Sequence, residues 1–381
     1  MKTLFRFCLG LLLLMLAGCA NVHYAPGSAK LGERSVVFGK MLLVRDGEPS
    51  VINTFGTAVR IGRTDSIKEP GMITESFGQD GSFYWALTPG HYYITIALNL
   101  PSDDIVSFAF DVPKAKSAYY FGDLMLVGKK HFNTISGANI KDVSARFEDH
   151  FDADRAALLQ RNPGLPEAAI GRLAVADISR DAGRYAAFRK LLDEAPLCCK
   201  SMAEFHFEKL AKESSETFDI GPQGGTFPFP GGRSYFRAFE LPAYTAPYVI
   251  SLRSLVMPTG MAGKFRIFAP AAMLLDAHYN VIGTVEQNLF HPVAASILPP
   301  RSASLEGDIA ITADKARARY LVVYTTDALL GRTRGTSIPG VLPIPGGALP
   351  TGISRPAWME PWVVGRIKVT LSAHEGSGRR D

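Results

Sequence analysis

The stretch DGSFYWALTPGHYYITI, Asp80 to Ile96, decides the class of the fold. Asp80-Gly81 has turn chemistry, and Phe83, Trp85 and Leu87 then share one face at a period of two. Pro89-Gly90 turns the chain again, and Tyr92, Ile94 and Ile96 alternate in the return, so the reading is a β-hairpin. Working outward, Val36-Val37-Phe38 and Met41 to Val44 are apolar strand runs, and Gly47-Glu48-Pro49 and Gly78-Gln79 supply turns. Ala118 to Leu124 reads as a later strand of the same sheet. Helices are nearly excluded from Ser35 to about Phe132. The aromatics of this region invite a saccharide-stacking reading. Alternation within strands is nevertheless the usual pattern of core and cross-strand pairs, and that reading is preferred.

The hairpin resembles those of small prealbumin-like or carboxypeptidase-regulatory-like sandwiches, a likeness that implies architecture and no function. A chain of 381 residues exceeds what one core usually organises, so more than one domain is expected. With 47% hydrophobic and 20% charged residues, the composition is that of a globular protein. The net charge is +5; without Lys2 and Arg6, 39 basic residues face 36 acidic ones, which does not suggest a nucleic-acid partner.

Residues 1–18 have a basic start and an apolar run, Leu9 to Leu16, too short to span a bilayer. They read as a secretion signal. Leu16-Ala17-Gly18-Cys19 resembles the bacterial lipobox. That resemblance implies lipidation of Cys19, cleavage before it, and acylation of the new amino terminus with a palmitate-type chain. Such an anchor holds stably, because each buried methylene contributes about 0.8 kcal/mol. Ala20-Asn21 lacks the aspartate of an inner-membrane retention signal, so the expected address is the outer membrane, facing the periplasm. Residues 19–34 read as a flexible tether and 35–141 as a small β-sandwich.

Residues 142–196 read as a helical linker. Asp181 can cap a helix that places Tyr185, Phe188, Leu191 and Leu192 on one face and Arg184, Arg189, Lys190 and Asp193 opposite, with Pro196 as its stop. A second helix is expected after Pro166, carrying Ile170, Leu173 and Val175. Glu148, Asp149, Asp152 and Asp154 cluster near a helix start, where the dipole favours carboxylates.

Residues 197–381 return to short strands with Gly/Pro turns. Leu274-Leu275-Asp276 to Val281-Ile282 reads as a hairpin, Leu321 to Thr326 as a buried strand, and Val363, Gly365, Ile367, Val369 and Leu371 face one way in the last strand. The fold class is mainly β: two antiparallel β-sandwich domains, prealbumin-like and then jelly-roll-like, joined by a short helical segment. Ser337 to Pro361 holds six prolines and reads as a long loop that binds a partner or covers a sheet edge, with covering preferred because edges need protection.

Cys198-Cys199 has neither zinc-site spacing nor a Cys-x-x-Cys pattern. A disulfide between neighbours, two buried thiols and a bond to another chain stay open. Cys198-Cys199-Lys200-Ser201, Phe227-Pro228-Phe229, Gly232 to Phe236 and Phe239 to Pro242 resemble the maltose operon periplasmic protein family. So do Val249 to Ser254 and Phe268-Ala269-Pro270 with Leu274-Leu275-Asp276. The resemblance implies a periplasmic protein associated with carbohydrate uptake, without a known catalytic site.

No His-Glu-x-x-His, Gly-x-Ser-x-Gly, phosphate-cradling loop or dinucleotide fingerprint occurs, and the eight histidines are scattered singly. The expectation is a non-enzymatic module with no metal or cofactor. Its partners would be the membrane through Cys19 and either a saccharide or an envelope protein, with Trp358, Trp362 and Tyr235 as contact residues. A scaffold of an envelope or secretion complex is the alternative, and a periplasmic hydrolase would need two carboxylates meeting in a pocket.

Overall fold

A computed structural model describes residues 24, 31–52, 57–68, 70–73, 77–98, 105–133, 137–258, 264–285, 289–296, 301–344 and 347–373. The leader and Cys19 lie outside them. The chain forms two compact units, one of residues 1–63 and 70–177, the other of 64–69 and 178–381.

The first unit contains β1 (Ser35–Arg45), β2 (Glu48–Val51), β3 (Thr57–Arg63), β4 (Gly71–Met72), β5 (Ser82–Leu87) and β6 (Gly90–Leu98). They are followed by β7 (Ile105–Val112), β8 (Ala118–Asn133), β9 (Gly137–Glu148), helix α1 (Phe151–Arg161), β10 (Ile170–Arg172) and β11 (Ala176–Asp177). One sheet runs β10-β8-β1-β2 with β5 also on β1 and β9 on β8; the other runs β11-β7-β6-β3-β4. Phe83, Trp85, Ile94 and Ile96 point into the core between them, none more than 1% exposed. The alternation is as expected, but the hairpin is not. β5 bonds to β1, whereas β6 bonds to β3 and β7, so the Pro89-Gly90 turn carries the chain from one sheet to the other. Both strands still point their apolar faces inward, which explains why the periodicity is the same for either arrangement.

The first of these sheets is mixed, whereas the second is antiparallel throughout, as the sequence reading expects. β1 and β8 pair in parallel with an irregularity after Phe38, where a Cβ on Gly39 would stand 2.4 Å from the Gly122 carbonyl oxygen. Only glycine fits this approach. The outer face of the first sheet buries Val36, Phe38, Tyr120 and Leu158 of α1. Tyr24, within the expected tether, docks there: its N–H donates to the Tyr84 carbonyl at 2.8 Å and its hydroxyl to Asn162 Oδ1 at 3.0 Å.

The region read as a helical linker contains strand as well. β9 reaches Glu148, and the segment after Pro166 is a single 3-10 turn leading into β10, which bonds to β8. Edge pairing overrides the helical pattern of Ile170, Leu173 and Val175. The acidic cluster does lie at a helix start, with Asp152 and Asp154 in the first turn of α1.

The second unit opens with helix α2 (Asp181–Glu194), then β12 (Phe207–Lys209), β13 (Ser215–Ile220), β14 (Thr226–Phe229), β15 (Gly232–Tyr235), β16 (Arg237–Glu240) and β17 (Tyr248–Leu255). It continues with β18 (Met257–Pro258), β19 (Lys264–Phe268), β20 (Ala271–Leu275), β21 (Val281–Val285), β22 (His291–Val293), β23 (Ser304–Ile311) and β24 (Tyr320–Tyr324). The short helix α3 (Asp327–Leu330) leads to β25 (Arg334–Ile344), β26 (Gly347–Trp362) and β27 (Gly365–Ala373). The sheets run β12-β16-β24-β20-β21, β13-β27-β17-β23-β22 and β18-β19-β26-β25, with β14-β15 a separate hairpin. The first is buried on both faces. Phe239 meets Phe218 of the second sheet at 4.8 Å, while Ala238, Met273 and Val322 join a core with Phe205, Phe227 and Phe229. This accounts for the unbroken apolar run of β20.

Ser337 to Pro361 is a long strand hairpin, not a loop. β25 pairs with β26 from Arg334 to Ile344, and Pro361 stands in a parallel pairing with Ile267. Pro339 and Pro343 fall on β25, the edge strand, where a missing N–H is tolerated. In α2, Phe188, Leu191 and Leu192 are buried as expected, but so is Arg184 at 1% exposure. Its guanidinium meets Asp181, Thr333 Oγ1 at 2.7 Å and Glu360 at 3.5 Å. The two terminal nitrogens find acceptors, which offsets part of the cost of burying the cation, while Nε has no partner among the described residues. Arg233 closes the other end of the helix by donating to the carbonyls of Asp193, at 2.9 Å, and Ala195.

Candidate functional site

One face of the β12-β16-β24-β20-β21 sheet carries a chain of aromatic contacts that starts in the core and ends at the surface. Tyr324 stacks on Phe229 at 4.3 Å, Phe229 touches Phe236 at 5.4 Å, and Phe236 touches Phe205 at 4.3 Å. From Phe205 the chain passes to Phe207 at 6.1 Å, Tyr320 at 4.2 Å and Tyr279. Tyr324 is 4% exposed, whereas Phe207, Tyr320 and Tyr279 are only half-buried.

These last three rings form a small platform. Tyr279 and Tyr320 are 13° from parallel with centroids 5.1 Å apart, and Phe207 and Tyr279 are 26° from parallel at 5.8 Å. Register explains two members: Phe207 pairs with Ala238, which pairs with Val322, so Phe207 and Tyr320 project from one face of neighbouring rows. The turn explains the third. Asp276 Oδ1 accepts the N–H groups of His278 at 2.8 Å and Asn280 at 2.9 Å, as the sequence suggests, and Tyr279 takes a φ of +63°. That places its ring over Tyr320. A hydrogen bond with Tyr279, with burial second, raises the Tyr320 hydroxyl above its ordinary value.

The rim is polar. Glu240 stands directly across from Tyr320 in the β16–β24 pairing and lies 3.9 Å from Lys209 Nζ, while Arg319 and His278 are exposed beside it. Glu208 is held by Arg237 at 2.7 Å. Flat apolar faces flanked by hydrogen-bonding groups suit a neutral polyol ring better than an ion or a nucleophile's substrate.

The contact residues expected from sequence fall elsewhere. Trp362 is 3% exposed: its Nε1 donates to the Thr64 carbonyl at 2.9 Å, Phe188 meets its ring at 4.7 Å and Arg266 lies 5.2 Å above it. Tyr235 is also 3% exposed, and burial pushes its hydroxyl up to about 12. Neither presents a face to a ligand. Trp358 is 46% exposed on β26, paired across from Gly335, with no second aromatic ring in contact among the described residues. Phe83, Trp85 and Tyr92 belong to the first core, where Phe83 and Trp85 stack at 3.9 Å, and Tyr84 packs in the outer cluster with Phe38 and Tyr120. The structure joins Cys198 to Cys199, and both pack against the cluster that contains Phe205.

A cleft at the ends of β17 and β27, lined by Pro242, Ala246, Pro247, Tyr248 and Leu371, has a volume near 110 Å³. Pockets that enclose small ligands usually measure about 300–1,000 Å³, so this cleft cannot swallow a sugar chain. Among the described residues, no group of three or more His, Cys, Asp or Glu could hold a metal. No helix there is long and apolar enough to cross a membrane.

Residues 231–337 match the profile of the family described as maltose operon periplasmic protein precursor (MalM). No curated protein matches the chain. The MalM segment supplies Glu240, Tyr279, Arg319 and Tyr320, thus two of the three platform rings, while Phe207 and the Cys198–Cys199 pair precede it. Trp358 and Trp362 follow it. The match is therefore narrower than the sequence resemblance, which extends from Cys198 to the C-terminal half as a whole.

Proposed function

We propose that this is a periplasmic, non-catalytic accessory protein of carbohydrate uptake that binds linear glucan chains on the Phe207–Tyr279–Tyr320 platform. The observation that carries the reading is the ring cluster itself: Tyr279 lies near-parallel to Tyr320 and, at 26°, to Phe207, while Phe207 and Tyr320 are tilted by 36°; all three are half-buried at the edge of a sheet, and two lie inside the segment matching a periplasmic maltose operon family. Stacking on an open platform without an enclosing pocket supports weak association, on the order of 1 mM or about −4 kcal/mol. An accessory protein held near a porin needs no more, since anchoring raises local concentration. Lipidation at Cys19 and an outer-membrane address belong to the same reading, supported by the Leu16-Ala17-Gly18-Cys19 sequence and the residues that follow it.

Isothermal calorimetry with maltose, maltohexaose and cellohexaose tests it. Heat that grows from maltose to maltohexaose supports the platform. No heat with any of the three removes the carbohydrate reading and leaves the scaffold alternative, for which a co-purifying envelope protein is the readout.

A further inference from the structure

Buried charge in the first unit gathers beneath helix α1. Asp123 of β8 is 3% exposed and Asp154 of α1 is 8% exposed, and their carboxyl groups meet. Asp123 Oδ1 accepts the Lys40 N–H at 3.1 Å and the Tyr120 hydroxyl at 3.2 Å, and its Oδ2 lies 2.9 Å from His150 Nδ1. Lys40 Nζ lies 2.9 Å from Asp154 Oδ1. Asp154 Oδ2 is buried, and no donor among the described residues reaches it. A proton carried by Asp123 would supply that donor.

We propose that Asp123 takes up a proton that it donates to the Asp154 carboxylate, and that taking it up clasps helix α1 to the strands beneath it more firmly as the surroundings become acidic. With both carboxyls ionised, one ammonium faces two buried negative charges, and the uncompensated charge works against the docked helix. With Asp123 protonated, a single negative charge faces Lys40 and every buried oxygen has a donor. The cluster joins three elements: Lys40 on β1, Tyr120 and Asp123 on β8, and Asp154 on α1 with His150 just before it. Asp80 acts on Lys40 from the turn before β5, and Tyr84 of β5 carries Arg161 of α1 above its ring at 5.6 Å.

Burial pushes the Asp123 carboxyl above its ordinary 3.8, and Asp154 adds to this against the opposing pull of His150 and Lys40. Burial also raises the Tyr120 hydroxyl. Lys40 is raised too: burial acts to lower it, but the bond to Asp154 together with the charges of Asp154, Asp123 and Asp80 outweighs burial. Both therefore stay protonated at neutral pH and below. For an acid whose folded value is raised, stabilisation is full below the unfolded value of 3.8 and is lost as pH rises through the folded value. The clasp thus strengthens on acidification. Because Asn162, at the end of α1, accepts a hydrogen bond from the Tyr24 hydroxyl, the same change steadies Tyr24 on the outer face of the first sheet.

Hydrogen exchange of the α1 amides in the full chain, corrected for intrinsic rates, tests this between about pH 4.5 and about pH 7.5. Protection should increase as pH falls, by up to about tenfold for each unit by which Asp123 is raised. Asp123→Asn should give high protection with no slope, while His150→Gln should keep the slope. If wild-type protection is flat or falls on acidification, or if the slope vanishes in His150→Gln and survives in Asp123→Asn, the proposal is wrong. Should Asp123→Asn fail to fold, infrared spectroscopy of the wild type decides. A protonated-carboxyl band persisting above the pH at which the protein's other carboxyls have ionised supports the proton on Asp123, and its absence overturns it.

Discussion

The rings of Tyr279 and Tyr320 lie 13° from parallel although Tyr279 occupies a left-handed turn position at φ +63°. A non-glycine residue there costs about 1–2 kcal/mol, so the ring pairing with Tyr320 and Phe207 must offset it. Tyr279→Gly removes the strain and the ring together. Its unfolding free energy should stay within about 1 kcal/mol of wild type in urea titration, because the two effects oppose. Saccharide binding should be lost. A loss of several kcal/mol would show that the tyrosine is there for the fold.

Removing the buried Arg184 side chain should weaken the second unit. Arg184→Met removes the cation that Asp181 and Glu360 share, but Lys264 still lies 3.4 Å from Glu360 and the Asp181 side chain is 44% exposed, so the cost should be about 1–3 kcal/mol. The urea midpoint should fall accordingly, and Arg184→Met/Glu360→Gln should recover part of the loss. Midpoints unchanged from wild type would contradict the burial of this charge.

Asp181 gives the second unit an acid limit. Burial opposes ionisation, but Thr333 and Arg184 win and hold the carboxyl below its ordinary 3.8. A lowered folded value means that the stabilisation is present above 3.8 and is lost as pH falls below it. Thermal midpoints of Asp181→Asn should approach those of wild type as pH falls from about 4 to about 2.5 and lie below them at neutral pH. A gap that stays constant across this range would show that Asp181 does not titrate this way.

Lipidation predicts a simple fractionation. Wild type should sediment with outer membranes, and Cys19→Ser should appear in the soluble fraction. Five residue steps separate Cys19 from Tyr24, at most about 18 Å of extended chain. A spin label at Gln160, on the turn of α1 preceding the Tyr24 partner Asn162, should accordingly sense lipid headgroups. Soluble wild-type protein would end the anchoring claim.

For Cys198 and Cys199, intact mass and alkylation of unreduced protein should show no free thiol. Two alkylatable thiols would contradict the bond. Cys198→Ala/Cys199→Ala is expected to weaken the second unit modestly, since both side chains border the Phe205 cluster.

Much of the fold is legible in the sequence because alternation survives tertiary context. Ile367, Val369 and Leu371 are buried in β27 as the period of two requires. What periodicity does not report is the strand partner, so β5 and β6 look like a hairpin although they bond to different sheets. Arg184 reads as surface because its chemistry is polar; its acceptors, Thr333 and Glu360, are distant in sequence. The prolines of residues 337–361 argue against strand until an edge position accommodates Pro339 and Pro343. The platform was invisible for the same reason as the Arg184 site. Phe207, Tyr279 and Tyr320 are single aromatics in separate segments, and only the sheet register and the Asp276 turn bring them together.

Saturation-transfer difference NMR with maltohexaose tests the central claim most directly. Irradiating the protein's aromatic protons should transfer saturation to the sugar's ring C–H protons in wild type, and the effect should drop at least about tenfold in Tyr279→Gly and Tyr320→Ala proteins that retain the wild-type fold. Transfer that persists undiminished in both variants, or is absent from wild type, would contradict a glucan-binding platform at these rings.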